Sequence, residues 1–474
     1  MAAPAIKFGT SGWRGIMADD FTFPGVRRAA AAIAGHVLAK KKSPVLIVGY
    51  DTRFFSEDFA RAAAAVLKSK GCRVLFCKEA TPTPAIAHAV IHGKLDGGVN
   101  ITASHNPAEY NGLKFSGPEG GPAMPETTHD IEARAAAIED DSAPAHEVHD
   151  DFECIDPREP YLEQLRRMVR FDVLERVTKM KGTFACDAMH GCGARWLDRI
   201  LVAHGIPAAM IRTNRDVLFD GGGPDPAEEN LAPLKKQVLE QHALAGLATD
   251  GDADRFGILD RNGSFVSPNH ILGLVFDYLL ETRSSGASKL GASRSVATTH
   301  LLDAVAKAHG VQVYETPVGF KYVGPLLREG KIALGGEESA GMTTAGHLPE
   351  KDGILACLLI AEMIVARQAS LGEQLRALFR RVGREYWPIR VNLHLAPEVQ
   401  ERVSAKLRQD PKEFAGRRVA RVNRTDGLKL IFNDGAWLLM RPSGTEPLVR
   451  VYTEAATPAE SQTVAEEARA WINA

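Results

Sequence analysis

Several of the usual pointers to function are missing from this chain. None of its six cysteines falls in a CxxC pair. Cys72, Cys77, Cys154, Cys186, Cys192 and Cys357 are scattered, several of them in strand-like runs such as RVLFC and TFACD. That spacing argues against a disulfide framework or a zinc ribbon and predicts buried free thiols in a reducing compartment. There is no excess of one charge: 57 Lys+Arg against 59 Asp+Glu leave a formal net charge of −2. Nothing global therefore points to nucleic acid or an anionic membrane, and any positive charge that function needs must be gathered locally. The longest apolar run, ILACLLIAEMIVA from Ile354, is too short to span a bilayer and carries Glu362, so it reads as a core helix. The opening MAAPAIKFGTSGWRG lacks a charged start followed by an apolar stretch, so no signal peptide and a cytoplasmic location are expected. Neither a Walker A nor a GxGxxG element is present.

What is there suits a large globular protein. Of the 474 residues, 45% are apolar and 24% charged, enough to bury sizeable cores. At roughly 100–200 residues per domain this length predicts about three or four domains. One pattern recurs: an alanine- or leucine-rich helical segment ends in Gly and a strand-like run follows. It appears around Gly71, Gly205 and Gly310, where Gly supplies a left-handed helix end. The runs SPVLIVGY, GTFACDA and RSVATT precede these helices as further strands. Three such units predict three similar α/β domains with largely parallel sheets.

The acidic stretch PETTHDIEARAAAIEDDSAPAHEVHDD reads as a solvated helix and linker closing a first domain, 1–155. The Asn-Gly turn of GILDRNGSF closes a second, 156–262. A third covers 263–385. The last segment, 386–474, alternates like antiparallel strands and ends in a helix, predicting a smaller α+β domain.

Five stretches carry chemistry. ITASHNPAEYNGLK places Ser104, His105 and Asn106 before a proline, with Lys114 ten residues after the serine. It is either a surface turn or a nucleophile loop. LATDGDADRFGILD runs a strand into Asp250, Asp252 and Asp254. Alternate carboxylates on a tight loop converge on a hard divalent cation, and oxygen-only ligands favour Mg²⁺. An EF-hand would need Gly at its sixth position and an acid at its twelfth; Arg255 and Arg261 stand there. A phosphatase with Asp250 as nucleophile is a competing reading. RPSGTEP, with Arg441, Ser443, Gly444 and Thr445, can wrap a phosphate, and Arg450 follows on the next strand. GGEESAG offers Glu337 and Ser339 to sugar hydroxyls, or is simply a helix start. KFGTSGWRG offers Arg14 to a phosphate.

Taken in order, GTSGWRG, TASHNP with YNGLK, DGDADR, PVGFKYV with GGEESAG, and RPSGTEP closely resemble the α-D-phosphohexomutase family, and they span nearly the whole chain. The resemblance implies four domains in a heart-shaped arrangement around a central cleft. It implies that Ser104 is carried as phosphoserine and that Mg²⁺ is held by Ser104, Asp250, Asp252 and Asp254. Arg255 and Lys114 would add positive charge. Lys114 and His105 are the candidates for proton transfer, and His105 could instead orient the loop. Arg14, Lys321, Arg441, Ser443, Gly444 and Thr445 would fix phosphate, while Glu337 and Ser339 would hold sugar hydroxyls. The implied reaction interconverts hexose 1-phosphate and hexose 6-phosphate through hexose 1,6-bisphosphate. Sugar phosphates are then the partners, with no nucleic acid and no membrane; oligomeric state is not legible.

Family members acting on both mannose and glucose often read GEMSGH where this chain has GEESAG, so Gly341 replaces a histidine. That departure favours glucose over mannose, with His347 as a partial substitute for the missing imidazole. Thr102 and Glu338 argue against a phosphoglucosamine mutase, which stays as the alternative. A sugar-phosphate sensor without turnover is the third reading.

Overall fold

The computed structural model describes residues 5–138, 151–283, 289–443 and 448–473. The chain forms two compact units, the first built from residues 1–268, 327–329 and 339–371 and the second from 269–326, 330–338 and 372–474.

In the first unit, a six-stranded sheet has the order β1 (Trp13–Ile16), β5 (Tyr110–Ser116), β4 (Gly97–Ile101), β2 (Val45–Tyr50), β3 (Arg73–Cys77), β6 (Glu153–Ile155). The four strands from β4 to β6 run parallel, while β5 and β1 are antiparallel additions at one edge. β2 reads VLIVGY and is buried on both faces, as a parallel strand covered by helices must be. Helices Phe23–Leu38 and Ser56–Ser69 cover one face, and Thr83–His92 covers the other, where Ile86 and Val90 meet Ile47 and Leu75. The helix Pro125–Ala136 is less solvated than its acidic sequence predicts. Ile131 and Ala135 are buried in the first core, Glu132 accepts from Phe8 N (2.6 Å), and Asp130 pairs with His36 Nδ1 (2.6 Å). The stretch 139–150 of the expected linker lies outside the described residues.

The second sheet has the order β10 (Phe256–Asp260), β9 (Ala245–Thr249), β7 (Phe184–Asp187), β8 (Ala208–Ile211), with only β10 antiparallel. The expected Asn-Gly turn follows β10, with Gly263 at φ 76°. The apolar run from Ile354 is indeed a core helix, Gly353–Arg367, buried along nearly its whole length. It packs on this second sheet, with Cys357 Sγ 3.6 Å from Ala248 O and Gly353 N donating to Ala253 O (3.0 Å). Asp352 caps its start through Leu355 N (2.9 Å).

In the second unit, β11 (Gly291–Ser295) pairs in parallel with β12 (Val313–Thr316) and β13 (Ile332–Glu337). The sequence pattern places this strand on RSVATT; it ends at Ser295, and a turn from Val296 leads into the helix Leu301–His309. Next along the chain is β14 (Gly341–Thr344), which belongs to the first unit. The C-terminal sheet is antiparallel in the order β15 (Trp387–His394), β20 (Leu448–Ala455), β19 (Trp437–Pro442), β18 (Leu428–Phe432), β17 (Arg417–Asn423), β16 (Glu413–Phe414). The helix Pro458–Asn473 buries Val464, Ala468 and Ile472 in the core of this sheet. A further helix, Pro397–Leu407, was not expected from the alternating pattern. Three α/β sheets, mixed but mostly parallel, and an antiparallel α+β segment are thus the architecture.

All six cysteines are free thiols, five of them buried. Cys154 is the exception: it is exposed, because β6 is a short edge strand. Among the described residues, no single helix is long and apolar enough to cross a membrane.

Candidate active site

Ser104 follows the carboxyl end of β4, and the Asp loop follows the carboxyl end of β9, the ends of α/β strands where ligands bind. Thr102 Oγ1 accepts from Ser104 N (2.8 Å), and Ser104 adopts a left-handed φ of 55°. A non-glycine residue holds such a conformation only where its surroundings impose it. Arg53 does much of the imposing. It is fully buried, and its Nη2 donates to the carbonyls of Ser104 and Asn106 (2.6 Å each). Its Nη1 donates to those of Pro107 (2.7 Å) and Tyr110 (3.1 Å), and Nε pairs with Asp51 (3.1 Å).

The Asp loop closes directly on the serine. Ser104 Oγ donates to Asp250 Oδ2 at 2.7 Å. A Cβ on Gly251 would stand 2.5 Å from Ser104 O, so only glycine lets the two loops approach this closely. Asp250, Asp252 and Asp254 are fully buried, with one oxygen from each within 4.8 Å of the others. This is no solvated acidic turn. Asp250 Oδ1 accepts from the backbone N–H of Asp254 (2.9 Å) and Arg255 (3.0 Å). Asp252 Oδ1 and Asp254 Oδ1 have no hydrogen-bond partner, an unfavourable state for buried acceptors unless a cation joins them. Burial pushes the Asp250 carboxyl well above its usual range, and Asp252 and Asp254 push it further. Burial would raise Asp252 and Asp254 too, but Lys114 overcomes it at Asp252, and Lys114 with Lys351 at Asp254. Three oxygen-only ligands with orphaned lone pairs fit a hard divalent cation such as Mg²⁺.

Lys114, on β5, reaches Asp252 Oδ2 (2.5 Å) and Asp254 Oδ2 (2.8 Å). Burial alone would depress its pKa, but these two carboxylates hold it well above the ordinary lysine value. His105 Nδ1 lies 3.3 Å from Ser104 Oγ. Burial, then Arg255 and Arg14, keeps its imidazole well below the usual value and therefore neutral. Arg14 donates from Nη1 to Asn106 Oδ1 (2.6 Å), and burial with Arg255 lowers its pKa to about 10. The first unit therefore gathers Ser104, His105, Lys114, Arg14, Arg255 and the three aspartates around one point.

Three contributors escape the sequence motifs. Lys351 Nζ sits 2.7 Å from Asp254 Oδ2. Thr83 Oγ1 hydrogen-bonds Asp252 Oδ2 and accepts from Asn100 Nδ2 (2.9 Å). Arg53 is the third. Lys351 lies in GHLPEKDG, where His347 drew attention instead, and a lone basic residue in DTR or EKD carries no pattern of its own. The expectation for His347 is corrected. Its side chain is fully buried and its Nε2 lies 2.7 Å from Asp352 Oδ2, so it is committed to the helix start rather than available to a sugar. Gly341 has a packing reason. A Cβ there would run into the Cδ and Cγ of Lys351, so the small residue makes room for the lysine that reaches Asp254.

Of the remaining candidates, Ser339 lies half-buried in the first unit. Glu337, Lys321, Arg441 and Ser443 belong to the second. Glu337 is buried, and its Oε1 accepts from Gly319 N (2.7 Å), two residues before Lys321. Its neighbour Glu338 turns to Ser295 Oγ and Thr298 Oγ1 (3.0 Å each). Arg441 lies directly opposite Arg450 across β19 and β20, and its Nε is 2.9 Å from Asp426 Oδ1. Like charges directly opposite are unfavourable, and the Asp426 carboxylate offsets part of that cost at Arg441. Ser443 N donates to Leu448 O (2.9 Å), closing the loop whose Gly444 and Thr445 lie outside the described residues.

Four family models match the chain, each described as phosphoglucomutase/phosphomannomutase: alpha/beta/alpha domain I over residues 5–142, domain II over 159–263, domain III over 267–382, and the C-terminal domain over 398–470. A phosphoglucomutase/phosphomannomutase of Thermococcus kodakarensis is 33% identical over 450 residues, covering 94% of each chain. A Pyrococcus horikoshii protein provisionally assigned as a phosphoglucosamine mutase is 31% identical over 455 residues, covering 95% of this chain and 94% of that one. The crystal structure of a Thermus thermophilus protein, provisionally assigned as a phosphomannomutase, superposes with a TM-score of 0.87 at 35% identity and covers 100% of both chains. A serine set on buried carboxylates and ringed by cations, in a chain matched from residue 5 to residue 470, makes this protein a phosphotransferring mutase of the phosphoglucomutase/phosphomannomutase family.

Proposed function

We propose that this enzyme interconverts hexose 1-phosphate and hexose 6-phosphate, glucose in preference to mannose, through phosphorylated Ser104 and a hexose 1,6-bisphosphate. The observation that carries the reading is Ser104 Oγ 2.7 Å from Asp250, on the rim of three buried carboxylates. Asp250, Asp252, Asp254 and an oxygen on Ser104 would hold Mg²⁺, which when bound supplies Lewis acidity to the phosphoryl oxygens.

Phosphate monoesters are among the slowest species to react unaided, so transfer depends on neutralising charge and aligning nucleophile with leaving group. Arg14, Arg255, Lys114 and Lys351 supply fixed positive charge around Ser104. In the first half-reaction the P–Oγ bond of phosphoserine breaks, a bond from phosphorus to the sugar hydroxyl oxygen forms, and the hydroxyl proton leaves. His105 is neutral and so able to accept a proton; Lys114 is protonated and so able to donate one. The second half-reaction reverses these steps at the other end of the sugar, after the bisphosphate turns around. Arg441, Ser443, Gly444 and Thr445 anchor the phosphate that is not reacting, Lys321 and Arg14 help fix phosphate, and Glu337 and Ser339 hold hydroxyls in both orientations. The opposed Arg441 and Arg450 support an anion site at that loop. Gly341, in place of a histidine, supports glucose over mannose.

The test is a coupled assay with Mg²⁺ and a trace of glucose 1,6-bisphosphate, run on glucose 1-phosphate, mannose 1-phosphate and glucosamine 1-phosphate. The third arm is included because relatives carry the phosphoglucosamine mutase name. Turnover fastest with glucose and abolished in Ser104→Ala is expected. Free phosphate release that survives Ser104→Ala would refute the mutase mechanism, and faster glucosamine turnover would overturn the sugar assignment.

A further inference from the structure

A second cluster of possible metal ligands lies outside the catalytic loops. His190 follows β7, and Asp216 and Asp220 lie on the loop after β8; one ligand atom from each falls within 4.8 Å of the others. Two observations lift it above an acidic surface patch. First, His190 is only 5% exposed, and its Nδ1 lies 2.9 Å from Asn214 O. A carbonyl can only accept, so Nδ1 carries a proton, and in the neutral ring the lone pair is then on Nε2. A histidine whose far nitrogen is tied to a backbone carbonyl is the arrangement that orients metal-bound imidazoles. Second, that buried Nε2 makes no hydrogen bond, although Asp220 Oδ2 is only 3.1 Å away. Two lone-pair atoms side by side and out of line with each other point at a common third site. Ligands bonded at ~2.1 Å to one ion stand roughly 3.0–3.4 Å apart in octahedral or tetrahedral geometry, and the observed spacing falls in that range.

Asp216 is oriented as well: its oxygens accept from Leu218 N and Asp220 N (3.0 Å each), leaving further lone pairs on each. We propose that His190, Asp216 and Asp220 form a second divalent-cation site, distinct from the aspartate triplet, that takes a transition ion of mixed nitrogen and oxygen preference, zinc(II) foremost. One imidazole with two carboxylates suits zinc better than Mg²⁺, which favours oxygen alone. The site has structural consequence. From the same loop, Arg215 donates to Thr52 O (2.9 Å) and Arg53 O (3.1 Å), and a Cβ on Gly223 would be 3.3 Å from His105 O. The ion would thus brace the loop on which the nucleophile loop rests.

The test is equilibrium dialysis of the metal-stripped, full-length protein against Zn²⁺ in excess Mg²⁺. It compares wild type with His190→Gln, Asp216→Asn and Asp220→Asn. At the free Zn²⁺ concentration that half-fills the wild-type site, the wild type should retain about half an equivalent more than each variant. Asp220 is more than half exposed, so Asp220→Asn keeps the comparison meaningful if the buried His190→Gln fails to fold. Equal zinc retention by wild type and Asp220→Asn would overturn the site and leave His190–Asp220 as an ion pair. The outcome does not depend on which sugar is turned over.

Discussion

Arg53 shows how one buried side chain can set the geometry of a reactive loop. Its guanidinium gathers four carbonyls around Ser104, and its own charge is matched by a buried Asp51. Arg53→Met should cost about 3–5 kcal/mol in urea unfolding, because Asp51 is left without its partner. Arg53→Lys should restore part of that stability but little of the turnover, since an ammonium cannot span four acceptors with a planar fork. Full activity in Arg53→Lys would show that the loop holds its shape without the fork. At Gly341, even Ala should displace the stem of Lys351 and lower turnover of every sugar at least about tenfold, ~1.4 kcal/mol of barrier. Steady-state kinetics of Gly341→Ala decide this, and unchanged kcat would make Lys351 dispensable. Arg53 does not stand out in the sequence, and the packing role of Gly341 does not either, because a lone Arg or Gly acquires such meaning only from what packs against it.

Among the elements, the glycine-terminated helices were legible. Gly310 adopts φ 70° at the end of Leu301–His309, where its N–H donates to Lys307 O (3.3 Å). Gly310→Ala should destabilise by about 1 kcal/mol, read as a shift in the urea midpoint at constant slope. The acidic pattern of Pro125–Ala136 reads as a solvated helix, and the structure buries only Ile131 and Ala135 of it. Ile131→Ala should cost about 2–5 kcal/mol if that contact is structural, whereas a solvated helix would lose almost nothing. The β-branched residues of RSVATT favour a strand, but the strand ends at Ser295, where the backbone has already turned.

Across the whole molecule, stability should carry a mark of Lys429 in the second unit. This lysine is buried against the Trp437 ring (4.3 Å), Val296 O (2.6 Å), His300 Nε2 (3.0 Å) and Glu315 (3.4 Å). Burial, then Arg294, lowers its pKa from 10.5 to about 8, against a partial lift from Glu315. Between those two values the unfolded chain holds more protons than the folded one, so stability rises with pH. Below about pH 8 the penalty of the buried charge is present in full; by pH 10.5 most of it is relieved, on the order of 3 kcal/mol. Chemical denaturation of wild type and Lys429→Met at pH 7 and pH 10 tests this, the gap between them narrowing or reversing as pH rises. A gap independent of pH would show that the lysine is not strained.

By itself the sequence determined the order of the modules and the chemistry each one carries. TASHNP, DGDADR, GGEESAG and RPSGTEP are local patterns, in which the residue types and their spacing point to a nucleophile loop, a carboxylate cluster, a sugar-hydroxyl loop and an anion loop. The alternation of buried strands and Gly-ended helices is local as well, so the three α/β sheets could be read from it. Tertiary structure alone decided that Asp250 meets Ser104, that Lys351 joins Asp254, and that the helix Gly353–Arg367 covers the second sheet. It alone committed His347 to Asp352 and turned His190 towards Asp220. These are contacts between residues tens to hundreds of positions apart in most cases, set by how sheets and helices pack in space, and no periodicity along one chain encodes such a meeting.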